Sequence, residues 1–257
     1  HLQTSIMIFS YNWLQTFFSR KLPKPEKLAE LLVLHSFEVS EIKKVKSDYI
    51  LDIDVLPNRA GDCFSHIGIA REIAAITNAV LQTPDVCKIS RHRESGNDTK
   101  DFISIEVRSQ SYCPRYTARV ITDVKVGPSP KWLKDRLDAC GLNSINNIVD
   151  VANYVMLETG QPLHAFDFEK LEGGKIIVRF AKEGEKITAL DNQKFDLGSQ
   201  VLVIADAKKP IAIAGIKGGK EPEINNNTKT VILESANFNP TLIRKGSREL
   251  GLKTDAS

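Results

Sequence analysis

The sequence predicts an α+β protein: a small N-terminal α/β unit followed by a larger domain in which helices flank a mixed sheet. Three observations carry this reading. Strand-like runs crowd between Ile176 and Glu234 instead of alternating with helices as βαβ units would. The 257 residues exceed one average domain. A polar, charged stretch from Ser90 to Asp101 separates two regions of clear periodicity and reads as a linker. The domains are therefore expected at residues 6–84 and 101–257.

The elements follow in order. Trp13 to Phe18 is apolar and aromatic, and Pro23 and Pro25 precede a helical face made by Leu28, Leu31 and Leu32. Phe37 to Ile42 and Tyr49 to Val55 alternate as half-buried strands, and Pro57 to Asp62 is turn-rich. Ser65 is placed to cap a helix that carries Ile69, Ile73 and Ile76 on one side. Beyond the linker, Phe102 to Val107 and Tyr116 to Ile121 read as strands. Ser129 is read as a cap before Pro130 at the first helical position, with Trp132, Leu133 and Leu137 on one face and Gly141 as the stop. A second helix is expected from Ser144 through Ile148, Val151, Ala152 and Val155 to Gly160. Strands then follow at Ile176–Phe180, Lys186–Leu190, Val201–Ile204, Ile211–Ala214 and Thr230–Glu234, with hairpin-turn chemistry at Asp191-Asn192. Asn239-Pro240 opens a last helix through Ile243 and Leu250, stopped by Gly251.

Composition narrows the function classes. Hydrophobic residues make up 42% and charged residues 26%, as in ordinary globular proteins. No apolar run approaches the roughly 20 residues that span a bilayer, and the first residues lack the pattern of a secretory signal. Cys63, Cys87, Cys113 and Cys140 form no CxxC pair and no Cys/His cluster, so a structural zinc site is not expected, and the thiols fit a reducing cytoplasm. The net charge of +3 is too small to identify a nucleic-acid partner. Two local clusters, Arg244/Lys245/Arg248/Lys253 and Lys208/Lys209/Lys217/Lys220, are candidates for phosphate contact or for plain solvated faces.

The run Val231-Ile-Leu-Glu234-Ser-Ala236 reads as a buried strand carrying one carboxylate, which is costly unless something hydrogen-bonds to it. Glu234 has three readings: a buried ion pair, which is the ordinary outcome for a buried acid, a general acid or base of raised pKa, or an acceptor for a ligand hydroxyl. The loop Gly215-Ile-Lys-Gly218-Gly219 lacks both the P-loop and the dinucleotide fingerprint, and Pro222 blocks a following helix. It is read either as a wall that lets backbone N–H groups approach a ligand or as a hairpin bulge. His164 stands without a nucleophile elbow or a visibly paired acid, so a covalent triad is poorly supported. Asp167 reads as a helix cap.

The chain resembles the N-terminal portion of the bacterial-type phenylalanyl-tRNA synthetase β subunit. The matching stretches lie in the family's order from Met7 onward: Ser10-Tyr-Asn-Trp13-Leu14, Phe37-Glu-Val39, Val55-Leu-Pro57-Asn58-Arg59-Ala60-Gly-Asp62-Cys63, Ile67-Gly68-Ile-Ala70-Arg71-Glu72, Cys113-Pro114-Arg115-Tyr116, Ile148-Val149-Asp150-Val151-Ala-Asn153-Tyr154-Val155, Gly160-Gln161-Pro162-Leu-His164-Ala165-Phe166-Asp167, Leu233-Glu234-Ser-Ala236 and Thr254-Asp255-Ala256-Ser257. The resemblance implies that the larger domain is an editing domain, which hydrolyses tyrosine wrongly attached to phenylalanine tRNA. It implies catalytic or positioning roles for His164, Asn153 and Thr254. It implies a substrate pocket at Glu234, Gly215, Gly218 and Ala256, with Glu234 receiving the tyrosine hydroxyl. The implied partners are that tRNA and, for the full-length enzyme, the synthetase α subunit. No metal and no cofactor is expected in this fragment, since ATP and magnesium belong to the synthetic site of the full enzyme. Two departures stand out: only Ser40 to Asp52 occupies the place of the family's tRNA-binding insertion, and the sequence stops at Ser257 where the family continues. The rival expectations are a non-catalytic module that binds tRNA or docks on the rest of the enzyme, and a freestanding deacylase of another specificity.

Overall fold

The computed structural model describes residues 6–84 and 98–252. Most of the expected linker, together with Lys253, Thr254 and Ala256, lies outside them. The chain runs through β1 (Ile6–Ser10), α1 (Tyr11–Gln15), α2 (Pro25–His35), β2 (Val39–Val45), β3 (Asp48–Asp54), α3 (Ala60–Cys63) and α4 (His66–Thr77). After residue 98 come α5 (Thr99–Phe102), β4 (Ser104–Val107), β5 (Arg115–Ile121), α6 (Lys131–Ala139), α7 (Asn147–Thr159) and β6 (His164–Asp167). The remainder is β7 (Lys175–Phe180), β8 (Lys186–Thr188), β9 (Lys194–Asp196), β10 (Leu202–Ala205), β11 (Pro210–Ile213), β12 (Lys217–Gly218), β13 (Val231–Asn237) and α8 (Pro240–Leu250). Among the described residues, no helix is long and apolar enough to cross a membrane.

Two compact units form, and each draws on two separate stretches of chain. The first holds the N-terminal residues with Pro128–Gln161, and the second holds the segment up to Gly127 with everything from Pro162. This corrects the expected boundary, which assigned Pro128–Gln161 to the larger domain. In the first unit, β3 lies between β1 and β2 in an antiparallel sheet. The segment Ser40–Asp52 is the β2–β3 hairpin, turning through Lys46 at φ +54. Its core joins Phe9, Trp13, Leu28, Leu32, Leu51, Ile53, Ile69 and Ile73 to Leu133, Leu137 and Leu157. Burying each such side chain contributes about 1.5–3 kcal/mol, so α6 and α7 complete this core. His66 adds polar specificity: its Nδ1–H donates to the Leu157 carbonyl (2.9 Å), its Nε2 accepts from the Ser10 N–H (3.1 Å), and its ring stacks on Trp13 at 4.0 Å.

The second unit has a mixed five-stranded sheet in the order β12-β11-β10-β7-β4, in which only the β4–β7 pair is parallel. A second, antiparallel sheet has the order β5-β13-β6, and β8 and β9 make the hairpin foreseen at Asp191-Asn192, with Asn192 at φ +66. Ile176, Val178, Val203, Ile204 and Ile213 of the first sheet share one core with Phe166 and Ile232 of the second. Two helix starts differ from expectation. Asn146, not Ser144, caps α7, accepting from the Ile148 and Val149 N–H groups at 3.0 Å. Ser129 caps nothing: it and Ser144 both donate to Asp150 Oδ2 at 2.5 Å. The hydroxyls serve a buried acid reached only through tertiary structure.

Candidate functional site

The site is built on the β5-β13-β6 sheet of the second unit. Glu234 on β13 stands in register with His164 on β6 and with Ala118 on β5, and Ala236 with Tyr116. Directly opposed residues on antiparallel strands share a face, and side chains alternate along each strand. His164, Phe166, Glu234, Ile232, Tyr116 and Ala118 therefore project from one face. That face is the inner one, because Phe166 and Ile232 are core residues, with Tyr116 and Ala118 packed against them. A short apolar strand with one acid on its inward parity leaves Glu234 only 5% exposed.

The electrostatics follow from that burial. Removal from water pushes the Glu234 carboxyl up to about 8, and the approach of the Tyr116 hydroxyl acts in the opposite direction. At neutral pH Glu234 is mostly protonated. Among the described residues no lysine or arginine pairs with it, so the ion-pair reading does not hold. Its Oε2 is buried and has no hydrogen-bond partner, and the same is true of the Tyr116 hydroxyl. The two groups lie close together: burial, then the Glu234 charge, and last the approach of the carboxyl to the hydroxyl raise the Tyr116 phenol well above its usual range, yet neither the hydroxyl nor Oε2 completes a hydrogen bond of good geometry. Cys113 lies close by: burial first, then Glu234, pushes its thiol to about 11, and Sγ donates to the Arg115 carbonyl at 3.2 Å. A thiol so held is no nucleophile at neutral pH.

His164 is half-buried, with its ring edge-on to Phe166 at 4.6 Å. Burial lowers its pKa to about 4, so the imidazole is neutral at pH 7. Gly218 lies against this ring: a Cβ there would come within 2.5 Å of His164 Cε1. Gly215, between β11 and β12, has φ +65, and an added Cβ would stand 3.1 Å from Ile243 of α8 and 3.2 Å from Phe238. The structure thus brings Glu234, His164 and Gly218 into one region of the second unit. Asn153, half-buried on α7, belongs to the first unit, and Thr254 and Ala256 lie outside the described residues. Asp167 caps a 3-10 turn, accepting from the Glu169 N–H at 3.1 Å and from the Thr228 hydroxyl at 2.7 Å.

Sequence reasoning missed Tyr116 and Cys113 as neighbours of Glu234. The signal was present in the alternation of Tyr116 to Ile121, whose buried parity matches that of Glu234 once the two strands are paired. It also missed Asp62, Cys63 and Glu72, whose ligand atoms gather in the first unit. The Arg59 guanidinium already lies among them, 2.7 Å from Asp62, 2.7 Å from Glu72 and 3.1 Å from the Cys63 sulfur. One basic cluster dissolves into ion pairs: Lys208–Glu172 at 3.0 Å, Lys217–Asp191 at 2.5 Å, Lys220–Glu223 at 2.6 Å, and Lys209 with Glu221. Arg244, Lys245 and Arg248 are exposed on α8.

Comparison with known proteins places the chain. The family model described as the B3/4 domain matches residues 112–257. The phenylalanine–tRNA ligase beta subunit of Carboxydothermus hydrogenoformans is 52% identical over 210 residues, covering 82% of this chain and 25% of that protein. The beta subunit from Syntrophus aciditrophicus is 47% identical over 236 residues, 92% of this chain and 27% of the relative. That of Rhodopirellula baltica is 42% identical over 251 residues, 98% of this chain and 36% of the relative. The chain spans about a quarter to a third of the length of these relatives. By the family model that matches more than half of it, the chain belongs to the B3/4 domain family, and along most of its length it is similar to phenylalanine–tRNA ligase beta subunits.

Proposed function

We propose that the second unit is an editing site that hydrolyses the ester joining tyrosine to phenylalanine tRNA. The observation that carries this reading is the buried, unpartnered Oε2 of Glu234. A phenol hydroxyl supplies the missing partner and a phenylalanine ring does not. Phenylalanine in the same place leaves the group unmatched and forgoes that hydrogen bond, a disadvantage relative to tyrosine of about 1–3 kcal/mol. One side chain thus attracts the wrong product and spares the right one.

The chemistry asked of the site is modest, because an aminoacyl ester is already activated. Water has to be placed and the developing oxyanion stabilised. His164, neutral at pH 7 but with a pKa of about 4, is a weak base. Its role in this reading is to orient the ester or the attacking water by hydrogen bonding. Thr254 is assigned a supporting contact, Gly215 and Ala256 the pocket wall, and Gly218 the room that the His164 ring needs. The reaction as proposed uses no metal or cofactor. Phenylalanine tRNA charged with tyrosine is the proposed substrate, and the synthetase α subunit is the proposed partner of the full-length protein.

The test is deacylation of tyrosyl- and phenylalanyl-tRNA(Phe) by the 257-residue chain and its Glu234→Ala variant. The wild type should favour the tyrosyl ester, and the variant should lose that preference by about tenfold or more. Unchanged selectivity in the variant refutes the role given to Glu234. A second reading, a module that binds tRNA without hydrolysing it, is favoured by the exposed Arg244, Lys245 and Arg248 on α8. Retained tRNA binding with no turnover of either ester would select it.

A further inference from the structure

Glu234 is not the only buried polar atom lacking a partner in this region. The Tyr116 hydroxyl is buried and equally unmatched. The register explains how the two come together. Tyr116 pairs with Ala236 and Glu234 with Ala118, so they are diagonal neighbours on the inner face of adjacent antiparallel strands. At that spacing an aromatic and a long acidic side chain reach one another. A direct hydrogen bond between them would satisfy both at once. The side chains approach one another without completing it, and the hydroxyl and Oε2 are each left without a partner of good geometry.

Two buried, unpaired groups side by side have complementary needs. A hydroxyl can donate and accept, and so can a carboxyl oxygen pair. A single ligand hydroxyl placed between them would donate to Glu234 Oε2 and accept from the Tyr116 O–H. A bare phenyl ring would satisfy neither. From this geometry we infer that Tyr116 is a second specificity-determining residue, its hydroxyl and Glu234 Oε2 together gripping the phenol oxygen of a tyrosyl group. This deepens the editing assignment and rests on it for the identity of the substrate. The grip itself is a binding property that can be measured without hydrolysis.

The test is isothermal titration of the 257-residue chain and its Tyr116→Phe variant with L-tyrosinamide and L-phenylalaninamide. The variant removes one oxygen and keeps the ring, and near-UV circular dichroism checks that its packing is retained. The wild type should bind tyrosinamide at least about tenfold more tightly than phenylalaninamide, and Tyr116→Phe should cut that ratio to about threefold or less. Affinity for phenylalaninamide should not change, whereas general damage to the fold would weaken both ligands. A Tyr116→Phe variant that keeps the full preference, or a wild type that has none, overturns the inference. Deacylation of tyrosyl-tRNA by the same samples separates the two ideas. Preferential binding that depends on Tyr116 without any hydrolysis removes the catalytic assignment and leaves the two-residue grip standing. Hydrolysis that depends on Glu234 and is indifferent to Tyr116 does the reverse.

Discussion

A carboxyl that keeps its proton to about pH 8 makes the stability of the fold depend on pH in an unusual direction. Below pH 4.5 Glu234 is neutral both folded and unfolded, and its burial is least costly. Between 4.5 and about 8 the unfolded chain ionises it while the folded chain holds the proton, so stability falls as pH rises. Above about 8 the loss is complete. Glu234→Gln abolishes this titration and leaves the histidines untouched. Its stability relative to wild type should therefore rise between pH 4.5 and 8, by an amount on the order of 5 kcal/mol at most. Urea midpoints of both proteins across that range measure the gap, and parallel profiles would show that Glu234 is not buried as described. The acid was legible in the sequence because Val231, Ile232 and Leu233 announce burial. Its unpaired state was not, because whether a lysine or arginine reaches it depends on strands far apart in the chain.

At the level of the element, helix ends that close on their own residues were readable, and ends that answer to distant groups were not. Ser65 accepts from the Gly68 N–H at 3.1 Å, Asn239 from the Thr241 N–H at 3.0 Å, and Gly160 and Gly251 end their helices at positive φ, all as local rules require. Ser129 and Ser144 defeated the same rules because Asp150 takes both hydroxyls. The four-residue β6 was also unread: its identity comes from pairing with β13, not from any run of its own. His66 shows what such distant contacts do to a helix. It opens α4, yet its two ring nitrogens are spent on Ser10 and Leu157, and burial lowers its pKa to about 3. Neutral His66 supports the fold fully above pH 6.5, and that contribution is lost as pH falls from there toward 3. The His66 ring resonances should therefore remain those of the Nδ1–H tautomer well below pH 6 in the folded protein. A native-state titration midpoint near 6.5 would contradict the buried arrangement.

For the molecule as a whole, the chain leaves the first unit, builds part of the second, returns for α6 and α7, and leaves again. The sequence could not show this return. Amphipathic spacing says that Leu133, Leu137 and Leu157 will be buried but not in which core, and composition marked only the crossing near Ser90–Asp101. The other two crossings fall at Gly127-Pro128 and Gln161-Pro162, each a proline junction too brief to read as a linker. The energetic consequence is testable. Residues 6–84 alone would lack three fully or nearly fully buried leucines, the Leu157 carbonyl that fixes His66, and the Tyr154 ring stacked on Trp13 at 4.5 Å. At about 1.5–3 kcal/mol for each leucine, the deficit rivals the 5–15 kcal/mol or so that holds a typical domain together. The segment 6–84 expressed alone should therefore give a poorly dispersed amide spectrum and bind hydrophobic dyes. The same segment joined through a flexible linker to 128–161 should recover dispersion and a cooperative urea transition. A cooperatively folded 6–84 segment would mean that α6 and α7 decorate a core already sufficient without them, and the first unit would then end where the sequence placed it.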